Sequence, residues 1–492
     1  MLPDLRPHRA VNPSVGQAAG ASPQRTQCED RELPTPHFRR ITLAATAAAL
    51  LLTPAAAQRV PPADATAYTR AIAAGYKAAM YCSGIFTAGR TPAQIDRDEL
   101  TGIYPEYEAI VPTLTARVEP FAVRVAFDPA LPPRRAVWNA RTGCTTLPIG
   151  APASPIAPPV HPTPAGPDPR AWPVGDSGIT QRTSPALAAV VQRAYDGTGY
   201  GAGAKTTGVL VLRNGAIAAE RYADGWGPYT ANRTWSVGKS IAGTLVGLVA
   251  ATRPLDVRAG GWVPEWRTAG DPRRAIRLDD LLRMGSGLHT DTAGNRTDLI
   301  YFGGGLVTED AIHWPLEAPP ATRFRYSNTD ILLAIRGLRA TVGEQAYRDL
   351  PATRLFAPLG MAHTQAGTDW QGNYILSSQI WSTARDLARL GQFWLQDGVW
   401  QGRRLLPPGW MRYLTTPSGP QPADGPGYGA TMWLFGPKQG LPAGSYAAQG
   451  NRGQYVMVIP SAKLVVVRRG EDPGAARFDI AKFSADILAT TR

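Results

Sequence analysis

Ser236 and Lys239 stand three positions apart in the segment Ser-Val-Gly-Lys. On a helix, side chains at that spacing share one face and reach each other. A serine hydroxyl is a weak nucleophile at neutral pH and needs an adjacent base. A lysine amine becomes such a base when burial lowers its pKa, whereas an arginine stays protonated. The chain uses lysine sparingly. Of its 51 Lys and Arg only six are Lys, leaving 45 Arg, and Lys239 alone among the six has a serine three positions before it.

Two further segments carry residues suited to the same chemistry. Arg325-Tyr326-Ser327-Asn328 contains the only Tyr-x-Asn among 17 tyrosines. A phenol beside a lysine ammonium can relay a proton between serine and leaving group, and an asparagine two residues on can bond a substrate amide. The third segment is Ala447-Ala448-Gln449-Gly450-Asn451-Arg452-Gly453-Gln454. Glycines beside a strand let a backbone N–H approach a ligand closely. Trp235, Trp314 and Trp381 are candidates to line a pocket. None of the six histidines lies in these segments, so a Ser-His-Asp triad is not expected. No Cys/His cluster has metal-ligand spacing, and no cofactor or metal is expected.

The elements that must position these residues can be read from pattern. Ser236 to Ala250 carries no charge beyond Lys239 and is apolar or small on nearly every face, which predicts a buried helix. Gly238, Gly243 and Gly247 mark places where other elements pack closely. Gly208–Arg213 and Ala216–Tyr222 flank Asn214-Gly215, the strongest short hairpin signal. A second hairpin runs from Tyr455–Ile459 through Pro460-Ser461-Ala462 to Lys463–Arg468, and a helix is expected over Ala475–Ala489. Between the hairpins the pattern is helical, clearest at Leu278–Met284, Asp330–Ala340 and Thr383–Gln396. Strands from both ends should share one antiparallel sheet around a helical insertion, an α+β architecture.

Upstream, the pattern predicts a helix over Asp64–Ser83 with Asp64 as N-cap, a short helix capped by Thr91, and strands at Ala122–Phe127 and Arg135–Asn139. Residues 58–147 thus read as a small α+β module. Residues 148–173 hold ten prolines and read as a linker. The large domain follows over 174–492. Residues 1–57 read as a leader with a signal peptide: Arg39-Arg40, an apolar run from Ile41 to Leu52, and a small-residue cleavage site ending at Ala57. The expected location is periplasmic or secreted, with Sec and twin-arginine export both open. Cys82 and Cys144 are then an even pair in an exported chain, and a disulfide between them is expected. After the leader no apolar run is long enough to span a membrane. The net charge of +13 is spread along the chain without a basic helix or nucleic-acid motif, so nucleic-acid binding is not expected.

Taken together, Ser-x-x-Lys, Tyr-x-Asn and the late glycine motif resemble the serine β-lactamase and penicillin-binding-protein superfamily. Their order is similar to the class C branch, which also holds esterases, D-aminopeptidases and 6-aminohexanoate-oligomer hydrolases. Leu282–Leu288, Pro358–Met361 and Thr383–Ala388 are also similar to segments of that branch, and Gly453-Gln454-Tyr455 resembles its 6-aminohexanoate-hydrolase-like members. The resemblance covers about 172–492 and implies a β-lactamase-like fold. It implies that Ser236 attacks an acyl carbon, Lys239 and Tyr326 move its proton, Asn328 orients substrate, and the backbone N–H groups of Ser236 and Asn451, beside Gly450, form an oxyanion hole. The family's third motif usually begins with Lys or His, and here Ala448 stands there, which removes a partner for a β-lactam carboxylate. Arg452 replaces that charge only if it faces the pocket. The expectation is therefore a serine hydrolase for a small ester, linear amide or peptide. The alternatives are a β-lactamase or D,D-peptidase acting on cell-wall peptides, and a non-catalytic binding or sensor protein that keeps the pocket.

Overall fold

The computed structural model describes residues 62–151, 166–289 and 297–490. The leader and the central prolines of the 148–173 segment lie outside them. Val60–Arg492 form one compact unit.

Helix α1 (Pro62–Cys82) begins two residues before Asp64, so Asp64 falls in its first turn and not at the N-cap. Its small side chains let it lie flat on an antiparallel sheet of β1 (Ala116–Glu119), β2 (Ala122–Val125), β3 (Arg134–Asn139) and β4 (Gly143–Thr146), in that order. Strand β2 stops two residues short of the expected end. Thr91 caps the helix Pro92–Asp98 reciprocally: its Oγ1 accepts from Gln94 N, and Gln94 Oε1 accepts from Thr91 N. A disulfide joins Cys82, at the end of α1, to Cys144 in β4.

One hydrophobic core runs from Ile72 and Tyr76 in this module to Val465 and Val467 near the C-terminus. The contact between them is close. A Cβ on Gly75 would lie 1.9 Å from the carbonyl oxygen of Phe302, and the Tyr76 ring packs 4.7 Å from that of Phe302. Arg134 donates to the Gly303 carbonyl at 2.6 Å.

The large sheet is built from both ends of its domain. Helix α2 (Pro185–Arg193) precedes the hairpin of β5 (Thr206–Arg213) and β6 (Ala216–Tyr222). At the turn, Asn214 and Gly215 both take positive φ, 50° and 81°, as the tight hairpin requires. After helices α3 (Val237–Ala250), α4 (Asn328–Val342) and α5 (Ala384–Leu395) come β7 (Gly427–Tyr428), β8 (Trp433–Phe435), β9 (Ser445–Gly450), β10 (Gln454–Ile459) and β11 (Leu464–Gly470). Helix α6 (Ile480–Ala489) closes the described chain, starting five residues later than its pattern suggested. The sheet order is β7-β8-β9-β10-β11-β5-β6, with every neighbouring pair antiparallel.

Strands β10 and β11 are buried on both faces, which is why they read as unbroken apolar runs. Tyr455, Met457 and Ile459 face α2 and α6, whereas Val456 and Val458 face the larger core that holds α3 and α5. This is the α+β arrangement the sequence predicts, with a helical region between β6 and β7. Among the described residues no helix is long and apolar enough to cross a membrane.

Candidate active site

The start of α3 is fixed by a strained turn. Trp235 adopts φ 51°, a conformation uncommon for a bulky residue. Ser236 follows at the N-cap position, and its side chain makes no capping bond. Gly238 is required on the first turn, because a Cβ there would stand 2.5 Å from the Leu376 carbonyl oxygen.

One turn into α3, the Lys239 amine is buried with three polar neighbours. Nζ lies 2.8 Å from Ser236 Oγ and 3.0 Å from the Ser377 carbonyl oxygen, and it also bonds Asn328 Oδ1. The last two are acceptors only, whereas a hydroxyl can donate or accept. Burial pushes the Lys239 pKa well below the usual amine range, the Arg233 guanidinium pushes it further, and Asp330 opposes them. A neutral Nζ donates its two hydrogens to Asn328 and Ser377 and turns its lone pair toward the Ser236 hydroxyl.

Tyr326 completes the group. Its ring sits 4.9 Å from Lys239 Nζ, and its hydroxyl hydrogen-bonds the Ser236 side chain. Burial raises its pKa above the usual phenol range, so it holds its proton at neutral pH. The ring is packed against Trp433 at 5.5 Å and Tyr428 at 6.1 Å. Beneath it, Ser286 from the Leu282–Leu288 segment donates to Asp330 Oδ1 at 2.8 Å, and the Arg325 N–H donates to the Met284 carbonyl at 2.9 Å. That segment therefore braces the loop entering α4. Burial raises the Asp330 carboxyl to about 7.

The end of β9 forms the facing wall. A Cβ on Gly450 would lie 2.3 Å from the Thr234 carbonyl oxygen and 3.1 Å from Ser236 N, so only glycine lets the strand come this close. Ser236, Tyr326, Asn328, Gly450 and Asn451 all line one cleft of about 320 Å³. Lys239 lies directly behind Ser236. The structure thus brings together Ser236, Lys239, Tyr326, Asn328, Gly450 and Asn451.

It also sorts the accessory candidates. Trp235 lines the cleft, but Trp381 lines a separate small cavity and Trp314 packs 5.7 Å from the His289 ring. Ala448 is fully buried in the core. The Arg452 guanidinium is committed to partners within the protein: it pairs with Glu471 at 2.7 Å and donates to the carbonyls of Asp98, Thr101 and Gly102. Sequence reasoning missed the Ser377 carbonyl, Trp433, Arg233, Arg477 and Tyr104. Arg477 lines the cleft with an exposed guanidinium that bonds only the nearby Gly474 and Ala476 carbonyls and makes no ion pair among the described residues. Arg233 is buried over the Trp235 ring at 3.7 Å and donates to Ser378 Oγ at 2.8 Å; its Nε and Nη1 have no hydrogen-bond partner among the described residues.

Comparison with known proteins fits this geometry. A family model described as Beta-lactamase matches residues 186–483. A 6-aminohexanoate-dimer hydrolase from Paenarthrobacter ureafaciens is 27% identical over 312 residues, covering 54% of this chain and 73% of that protein. Among solved structures, a penicillin-binding protein homolog from Caulobacter crescentus aligns with a TM-score of 0.50 at 17% identity, over 63% of this chain and 98% of that one. The N-terminal module lies ahead of the residues that the family model matches.

Proposed function

The chain belongs to the beta-lactamase family, whose members are serine hydrolases, and from that premise we propose that it hydrolyses an ester or linear amide through an acyl-enzyme on Ser236. The observation that carries this reading is the environment of Lys239, whose two other partners can only accept, leaving its lone pair for the Ser236 proton. Lys239 takes that proton as Oγ attacks the acyl carbon. The N–H groups of Ser236 and Asn451 hold the resulting oxyanion, where losing one donor costs about 3–4 kcal/mol. Tyr326, still protonated, passes a proton to the leaving group, and Asn328 keeps Lys239 oriented while facing the substrate. Water then attacks the acyl-enzyme with the same groups in reverse, and the acid departs from Ser236.

Neutral substrates are favoured by Ala448, whose side chain is sealed in the core, and by Arg452, whose charge is committed to Glu471. A charge-assisted hydrogen bond to a carboxylate is worth about 1.5–3 kcal/mol, roughly 10- to 150-fold in rate. The purified chain should therefore cleave neutral p-nitrophenyl esters or linear amides at least about tenfold better than nitrocefin in kcat/KM. A second reading, cleavage of β-lactams or cell-wall peptides, draws on Arg477 at the cleft. It predicts efficient nitrocefin turnover that Arg477→Ala removes, and that pair of results would replace the ester reading.

We also propose that the chain is exported to the periplasm or beyond. The charged and apolar pattern of 39–57 and the Cys82–Cys144 disulfide support this. Fractionation with N-terminal sequencing of the mature protein should give a start at Gln58; an unprocessed chain in the cytoplasm would refute it.

A further inference from the structure

The cleft does not end at Asn451. A second groove of about 340 Å³ continues from it and shares Tyr104, Trp235, Asn451, Arg452 and Arg477 with it. One wall of this groove comes from the N-terminal module, through Ile103, Tyr104 and Pro105, and the opposite wall includes Gly474 and Ala475. The module's loop is held in place. Gly102 takes φ 59° and its carbonyl accepts from Gly474 N at 2.8 Å and from Arg452 Nη1 at 2.8 Å. Arg452 also reaches the carbonyls of Asp98 and Thr101. The Tyr104 ring meets Trp235, the residue before Ser236, edge-on at 6.3 Å, and is backed by Tyr76 and Tyr107. The turn that carries Asn451 therefore also anchors the module's wall, so wall and reaction centre are set in register.

We infer that the N-terminal module builds a substrate subsite for this hydrolase, with Tyr104 as its specificity-determining residue, and that the subsite takes an apolar chain continuing beyond the scissile bond past Asn451. The inference rests on the hydrolase reading above. Apolar and aromatic side chains dominate the groove walls, and Arg477 stands at the junction of the two clefts. A chain lying there removes apolar surface from water along Tyr104 and Pro105. A short acyl or alkyl group leaves that surface wet.

The test uses the full chain and two ester series. One runs from p-nitrophenyl acetate to octanoate for the acyl side, and the other from ethyl to octyl acetate for the alcohol side. In one of the two series the wild type should favour the long chain, and both Tyr104→Ala and Ala475→Trp should lower its long-to-short ratio of kcat/KM by at least about tenfold. Ala475→Trp fills the groove from the opposite wall and leaves the module's packing intact, so it decides the matter even where Tyr104→Ala fails to fold. A wild type without chain-length preference in either series, or an Ala475→Trp variant that keeps the wild-type ratio in both, overturns the subsite. Labelling of the wild type by a small fluorophosphonate separates the two levels. An unlabelled, inactive wild type takes down the hydrolase reading and the subsite with it; a labelled wild type with unmoved ratios takes down the subsite alone.

Discussion

Two oxygens that can only accept, and one hydroxyl, surround the Lys239 amine. That division makes the identity of the base testable. Removing a general base typically costs about 10²- to 10⁴-fold. Lys239→Ala should lose that much in the acylation rate, and Lys239→Arg should be as damaging within about tenfold, because a guanidinium stays protonated. Burst kinetics on a p-nitrophenyl ester measure both, and substantial activity of the Arg variant at neutral pH would reduce Lys239 to a structural cation. The pH profile adds a second check. Lys239 must be neutral to act, so kcat/KM falls as pH drops through its lowered pKa. The charges facing it are Arg233, which lowers that pKa, and Asp330, which raises it, beside the protonated Tyr326. Arg233→Met removes a lowering influence and should move the acid limb to higher pH; an unmoved limb would show that its field does not reach the amine. Ser236, Lys239, Tyr326 and Asn328 were legible in the sequence because each lies in a short motif whose residue types suit one step of acyl transfer. Arg233 was not, being one arginine among 45, and neither was Ser377, which offers only a backbone carbonyl. Trp314 and Trp381 misled because a tryptophan's type does not say which way the fold turns it.

At the level of elements, the approach of β9 to the start of α3 decides whether two N–H groups can converge. Gly450→Ala places a methyl carbon 2.3 Å from the Thr234 oxygen, so the strand must back away from Ser236. Acylation should fall about 10²- to 10³-fold, the cost of an oxyanion donor, while thermal unfolding stays cooperative. A variant that acylates at the wild-type rate would mean that β9 does not shape the site. The hairpin and one cap were readable because their chemistry is local: Asn214-Gly215 supplies two positive-φ residues, and Thr91 accepts from Gln94 N at 3.3 Å to start the helix Pro92–Asp98, whereas Asp64 lies inside α1. Helix α6 was read five residues too long for one non-local and one local reason. Gly474 N donates to Gly102 in the module, and Asp479 caps the helix by accepting from Lys482 N at 2.9 Å. The residues Ala-Ala-Arg-Phe-Asp of 475–479 carry no trace of the contact with Gly102, whereas Asp479 is a local N-cap signal.

Over the whole molecule, the module and the hydrolase domain share one core, and the disulfide ties the module's helix to its sheet. The bridge closes a separation of 62 residues, which in the loop-entropy model contributes about 4 kcal/mol. Replacing Cys82 and Cys144 together by serine should lower unfolding stability by that order in chemical denaturation, and an unchanged midpoint would show that packing alone holds the module. The sequence marks the module's helix and strands, since periodicity is internal to each, but apolar residues do not name the surface they will meet. Gly75 against Phe302 and Arg452 against Gly102 are visible only once the chain is folded. Whether this assembled molecule is a serine hydrolase with Ser236 as its nucleophile is decided by intact-mass spectrometry after treatment with a fluorophosphonate. The wild type should gain the mass of one phosphonyl adduct, mapped to Ser236, and Ser236→Ala should gain none. A wild type that stays unmodified, or a Ser236→Ala variant labelled as fully as the wild type, would exclude Ser236 as the nucleophile.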